Sequence, residues 1–191
     1  MRNVILASKS KARRKLLNDI GLKFTVRVSK VREKRLIKTS CGDLVMENAM
    51  AKALDIAERT KTGIIIAADT VVLVGKRIIG KPKSIKEAVR TLKLLSRKPQ
   101  WVYTGIAVID VDKNKKYRSF DRTKVYMYRL TEREIKNYFK RVSPLDKAGS
   151  FDIQGFGSVF IDRIEGCFYN VVGLPMAKLA KMIKKTGMEV F

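Results

Sequence analysis

The chain has 191 residues, 42 Lys and Arg against 18 Asp and Glu, two Cys and no His, for a net charge of +24. The missing histidine excludes a Ser-His-Asp or Cys-His site within the chain and any imidazole-bound zinc, and Cys41 and Cys167 are too far apart to form a CxxC pair. Any metal must therefore be held mainly by oxygen, and any general base must be Asp, Glu, Lys or Tyr.

In chain order, Asn3–Ala7 reads as a short buried strand. Ser8 or Ser10 caps a helix through Leu17 that Gly21 ends. Lys23–Val28 alternates polar and apolar residues, as a strand does. Leu44–Arg59 is a helix with Met46, Ala49, Met50, Ala53 and Ala57 on one face. Ile64–Val74 is rich in β-branched residues and predicts a strand, which Gly75-Lys76 turns into the hairpin partner Arg77–Ile79. Ser84 caps a helix with the stripe Ile85, Ala88, Val89, Leu92 and Leu95. Trp101–Val111 and Lys116–Leu130 are strands joined by a turn at Asp112–Lys115, and Thr131 with Glu134 forms a capping box for a helix to Arg141. Val142–Gly157 is a loop, Ser158–Ile164 a strand, and Asn170–Pro175 a strand or loop leading to a last helix opened by Pro175 and closed by Gly187. Helices alternate with strands while hairpins intrude, which predicts an α/β fold on a mixed sheet.

No apolar run approaches the roughly 20 residues of a membrane span, and Met1–Ala7 is too short for a secretory signal. The chain reads as soluble and cytoplasmic, with no membrane partner. The net charge has two readings: a polyanionic partner, or a Lys-rich solvated surface. The bias is steepest over Met1–Ser40, where thirteen Lys and Arg accompany only Asp19 and Glu33.

Asp69 is the most informative single residue. It interrupts Ile64-Ile65-Ile66-Ala67-Ala68 and Val71-Val72-Leu73-Val74, so its carboxylate is expected to be buried or half-buried, which is costly without a metal, a cation or hydrogen-bond donors; it is either a functional acid or a strand-end or bulge acid bonded to nearby backbone. Gly75–Lys81 nearly matches a phosphate-binding P-loop, but Pro82 stands where a Ser or Thr is required. Lys81 remains a candidate phosphate contact or an ordinary exposed lysine. Leu6–Arg14 leaves a strand and enters a helix, where backbone N–H groups, Ser8 and Arg13 could attract an anion or simply cap the helix. Lys52 sits beside an apolar stripe and either reaches past it or snorkels. In Asp146–Gly155, small residues permit close approach of a ligand, and the amide of Gln154 can read a base edge.

Taken together, LASKSKARRKLL (6–17), the Glu33 region, Lys52-Ala53, AADTVV (67–72), GKP (80–82), TG (104–105), DKAGSFDIQG (146–155) and NVVGLP (170–175) resemble the Maf family of nucleoside triphosphate pyrophosphatases. The resemblance implies a single domain over 1–191 with two lobes, an elongated mixed sheet flanked by helices, and a central cleft. It implies hydrolysis of dTTP, UTP or related pyrimidine and modified nucleotides to the monophosphate and pyrophosphate with Mg²⁺, Mn²⁺ or Co²⁺, and a homodimer. Asp69 would be the proton acceptor and share the metal with Glu33. Lys52 and Lys81 would complete the catalytic group and also bind the triphosphate. Ser8 and Arg13 would bind the triphosphate, and Thr70 and Gln154 the base. Ala12 replaces an arginine of the family pattern and Asp152 a glycine, which bears on the choice of base. On this reading the partner is a small nucleotide and not nucleic acid. Two other readings stand beside it: a basic nucleic-acid-binding protein, and an inosine or xanthosine triphosphate pyrophosphatase of similar fold.

Overall fold

The apolar run with the acidic interruption is the central strand β3 (Ile64–Val74) of a computed structural model that describes residues 2–35 and 40–190. A seven-stranded mixed sheet forms around it. Its path is β2 (Thr25–Val26), β1 (Val4–Leu6), β3, β5 (Gln100–Asp110), β6 (Lys115–Met127) and β7 (Ile161–Glu165), with β4 (Arg77–Ile79) paired to β3 off that path. Strands β2 and β3 run parallel to β1, while β4 is antiparallel to β3 and β7 to β6. Flanking the sheet are helices α1 (Lys11–Asp19), α2 (Cys41–Ala57), α3 (Ile85–Leu95), α4 (Glu132–Phe139), α5 (Phe168–Val172) and α6 (Met176–Lys184). Both cysteines are free, and no helix among the described residues is long and apolar enough to cross a membrane.

The chain divides into two compact units. Unit 1 comprises Met1–Asp69, Thr104–Asp121 and Gly173–Phe191; unit 2 comprises Thr70–Tyr103 and Arg122–Val172.

In unit 1, β1 and the first half of β3 are apolar on both faces, as parallel strands covered from two sides must be. Helix α2 starts at Cys41, three residues before the predicted Leu44, because Ser40 caps it by accepting from the Asp43 N–H. Ala49, Ala53 and Ile56 of α2 pack on Ile5, Ala7, Ile65, Ala67, Ala107 and Ile109. The small residues let helix and sheet come close, and Gly105 shows how close: a Cβ there would lie 2.3 Å from the Val45 carbonyl. That contact is the physical content of the Thr104-Gly105 pair. Gly105→Ala must push backbone against backbone and is expected to destabilise the protein by about 1–3 kcal/mol, read as a lower urea midpoint. Helix α1 is capped by Ser10, which accepts from the Arg13 N–H. The predicted strand Lys23–Val28 shrinks to Thr25–Val26, since it pairs only with the three-residue β1.

Asp110 is fully buried at the end of β5, and Arg2 grips it through both terminal nitrogens while one of them also donates to the Thr186 carbonyl at 3.1 Å. The Arg2 hydrogen bond, opposed by burial and helped by the Lys113 N–H, holds the Asp110 carboxyl below its ordinary value of 3.8. A depressed carboxyl gives stability that is complete above its unfolded pKa and lost as pH falls through the folded one. The unfolding free energy should therefore fall below about pH 4, and Asp110→Asn should flatten that acid limb in urea titrations at pH 3 to 7.

In unit 2, Val72, Val74, Val102 and Val125 pack against Leu92 and Leu95 of α3 and Ile135 and Tyr138 of α4. The predicted Thr131–Glu134 capping box is present. Ile85 departs from the predicted stripe and is 49% exposed, because the Ser84 cap sets it in the first turn, ahead of the buried positions Ala88, Leu92 and Leu95. The predicted strand Ser158–Ile164 begins only at Ile161, since Gly155–Phe160 winds into 3-10 turns. The start of the Asn170–Pro175 stretch, expected as strand or loop, lies in the short helix α5 (Phe168–Val172). Its buried Asn170 donates to the Val102 carbonyl at 3.0 Å and to Thr123 Oγ1 at 2.9 Å, a local constraint the β-branched pattern conceals.

Candidate functional site

The acid that breaks the β3 pattern is buried, and its charge is met from α2. Lys52, a turn and a half below Ala57's end of that helix, carries its ammonium inward to Asp69 Oδ1 at 2.7 Å, to Glu33 Oε1 at 2.7 Å and to the Ala68 carbonyl at 3.3 Å. Both Lys52 and Asp69 are buried, at 9% and 5% exposure, while the Glu33 side chain is 41% exposed. One ammonium thus bridges two carboxylates, one sequestered and one facing water. Unit 1 brings together the five residues expected there: Ser8, Arg13, Glu33, Lys52 and Asp69.

Arg13 is fixed rather than reaching. Its Nε donates to the Gly173 carbonyl at 2.8 Å, and its Nη1 to Ser8 Oγ at 3.2 Å and the Ala68 carbonyl at 2.9 Å. It ties the β1–α1 turn to β3 and to the segment entering α6. Burial pulls its guanidinium below the ordinary value, while the charges of Asp69 and then Glu33 oppose that fall. The Ser8 hydroxyl also accepts from the Ser10 N–H at 3.3 Å, shaping the turn before α1.

Asn48 belongs to this group and was not among the expected residues. Its Nδ2 donates to Asp69 Oδ2 at 2.8 Å and to the Lys34 carbonyl at 3.0 Å, and its Oδ1 accepts from the Lys34 N–H at 2.9 Å. The same amide thus seats the free oxygen of Asp69 and pins the backbone next to Glu33. The Lys30 N–H, bonded to Asp55 Oδ2 at 3.0 Å, pins that segment at a second point. A signal for Asn48 did exist: a buried-type amide on the apolar face of a helix, one turn before Lys52.

Asp69 and Glu33 offer the hard oxygen donors that suit a divalent cation. A carboxylate has about four lone-pair sites, and Lys52 and Asn48 use only two of those on Asp69. Among the described residues no group of three or more His, Cys, Asp or Glu assembles. Two carboxylates with water and substrate oxygens as the remaining ligands is the binding mode Mg²⁺ favours, so the donor set fits.

Thr70, Lys81 and Gln154 lie in unit 2. Lys81 follows β4. The Gly149 N–H donates to the Gly80 carbonyl at 3.3 Å, so the 146–155 loop is fastened beside Lys81. In that loop Gly149 and Ser150 both adopt left-handed backbone, at φ 76° and 66°, a costly conformation for Ser150 that reverses the chain toward Gln154. The Gln154 N–H is held by Asp152 Oδ1 at 3.0 Å, so Asp152, the departure from glycine, braces the turn that carries the amide.

A mixed α/β sheet that presents a buried acid, a bridging ammonium and a capped, cation-rich strand-to-helix turn is the framework of an enzyme that handles phosphate groups. The chain belongs to the Maf family: the model described as Maf-like protein matches residues 3–186. Proteins of Bacillus cereus, Bacillus anthracis and Bacillus thuringiensis named dTTP/UTP pyrophosphatase are each 44% identical over 190 residues, covering 100% of this chain and 98% of theirs. Among solved structures, the Staphylococcus aureus Ham1 protein is 15% identical with a TM-score of 0.46, covering 66% of this chain and 72% of its own.

Proposed function

We propose that the protein hydrolyses pyrimidine nucleoside triphosphates, dTTP and UTP first among them, to the nucleoside monophosphate and pyrophosphate. The observation that carries this reading is the Glu33–Lys52–Asp69 triad, beside a family match over nearly the whole chain and relatives bearing that name. Water adds to the α-phosphorus, its proton passes to an Asp69 oxygen, and the bond to the bridging oxygen breaks with pyrophosphate leaving. Lys52 keeps the Asp69 carboxylate in one orientation through its 2.7 Å bond. Asp69 and Glu33 would hold a divalent cation, which when bound supplies charge neutralisation at the phosphate oxygens. Ser8 donates to the triphosphate, and Arg13 adds a positive charge from a fixed position. We assign Lys81 as a further point charge for phosphate and Thr70 and Gln154 as readers of the base. We further assign the enzyme to the cytoplasm and to a homodimer.

The test is a panel of natural and modified triphosphates with Mg²⁺, Mn²⁺, Co²⁺ or EDTA, reading pyrophosphate. Release from dTTP and UTP ahead of the purine triphosphates, abolished by EDTA, is expected. No pyrophosphate with any metal overturns the activity; inorganic phosphate in its place overturns the site of cleavage; full rate in EDTA removes the metal.

Asn48 is a positioning residue on this reading. Asn48→Leu keeps the branched shape but removes a bond to Asp69 and two to the Lys34 backbone. It should lower kcat by about ten- to a hundredfold with a smaller change in KM, a split that stopped-flow or steady-state assays resolve.

A further inference from the structure

The outer face of the unit 2 sheet carries a second chemistry, away from the core packed by α3 and α4. Along β6 the side chains alternate. Thr123 and Val125 are fully buried, Val125 in that core, while Arg122, Lys124 and Tyr126 point to the opposite face. Trp101 of β5 and Arg163 of β7 join them there, Arg163 directly opposite Tyr126 in the strand register. The result is a ladder of alternating cations and rings. Arg122 lies 5.1 Å and Lys124 5.7 Å from the Trp101 centroid. Lys124 lies 5.1 Å and Arg163 3.8 Å from that of Tyr126.

Three cations on neighbouring strands repel one another, and the ring faces hold them in a row despite that repulsion. The acids nearest them on β7 are Asp162, which pairs with Arg163 at 2.9 Å, and Glu165, opposite Lys124. Those acids offset the row only locally, since unit 2 as a whole contains eighteen Lys and Arg against seven Asp and Glu. None of these five residues takes part in the chemistry assigned to Asp69, Lys52 and Glu33, and their arrangement answers a polyanion that also offers flat groups.

We propose that the Arg122–Trp101–Lys124–Tyr126–Arg163 ladder is a binding surface for single-stranded nucleic acid, with unpaired bases stacking on the guanidinium planes and rings and phosphates paired with the cations. A duplex hides the flat faces of its bases and cannot stack on a sheet, whereas a single strand can lay two or three bases across adjacent strands. Net charge alone left nucleic-acid binding as one of several sequence readings; the ladder gives it a place and a preferred form. The surface would act independently of triphosphate hydrolysis.

Trp101 is the single tryptophan, so its fluorescence reports on the ladder directly. The experiment titrates the full chain with unlabelled 12-nucleotide oligothymidylate and oligouridylate, with duplex of equal length, and with anionic lipid vesicles. Single strands should quench Trp101, with a salt slope of about −2 for three neutralised phosphates. Arg163→Glu and Arg122→Glu should each weaken binding at least tenfold, while thermal melting and dTTP turnover stay at wild-type levels. Tyr126→Ala should weaken it as well. The proposal is overturned by absence of quenching, by equal quenching from duplex or vesicles, or by variants that melt normally and bind as tightly as wild type.

Discussion

Asp69→Asn is expected to cut pyrophosphate release from dTTP by about two to three orders of magnitude while leaving a folded protein. The substitution is isosteric, so the β3 strand and its packing are kept. The chemistry is not. Two donors point at this side chain, Lys52 Nζ at 2.7 Å and Asn48 Nδ2 at 2.8 Å, one to each oxygen. A carboxamide has one oxygen, so it can satisfy one donor only and must turn its NH₂ toward the other. That mismatch should cost about 1–3 kcal/mol, a loss of roughly 2–12 °C in melting temperature. The rate loss should be far larger, because an amide can neither take a proton from water nor carry negative charge toward a cation. Pyrophosphate release near the wild-type rate by a folded Asp69→Asn protein would end the role assigned to this residue.

Lys52→Met should cost more stability than Asp69→Asn and also impair the reaction. Removing the ammonium leaves Asp69 buried with Asn48 as its remaining partner, whereas Glu33, 41% exposed, can be solvated. Breaking a buried pair from one side costs about 3–5 kcal/mol, and with Glu33 recovering in water the lower end applies, about 3 kcal/mol or 6–12 °C of melting temperature. The double variant Lys52→Met/Asp69→Asn removes both charges and is expected to be more stable than Lys52→Met alone, although inactive. A double variant no more stable than the single one would show that Lys52 matters for packing, not for charge.

How much of this was legible in the sequence depends on the range of the interaction. Strand β3, its hairpin with β4 and the caps at Ser10, Ser84 and Thr131 were readable because they rest on neighbours within a few positions. The burial of Asp69 was readable for the same reason: it stands in an aliphatic run. Its partners were not derivable from pattern, since Lys52 and Asn48 arrive from another element 17 and 21 positions away. Resemblance supplied Lys52, but Asn48 lay outside the quoted motifs. The short helix at 168–172 was missed because Val171 and Val172 favour extended backbone locally, and the hydrogen bonds of Asn170 to Val102 and Thr123 override them. Arg13 was read as a hand for phosphate. The structure also gives it a bracing job, visible only once Gly173 and Ala68 are near. Gly105 lay within a quoted motif, but its reason, the approach of Val45, could come only from three dimensions.

The segment that carries Glu33 is moored to α2 through its own main chain, by the Lys30 N–H on Asp55 and by both backbone groups of Lys34 on Asn48. Amide groups are common to every residue type except proline, so substitutions along 29–35 leave these main-chain moorings in place, although changes at Ser29 and Lys34 also remove side-chain bonds to Asp55 and Glu47. Lineages can therefore redecorate that stretch, altering charge and shape around an incoming nucleotide, without displacing the carboxylate. Innovation in this protein is cheapest where the chain is held by its backbone and dearest on the helix that does the holding.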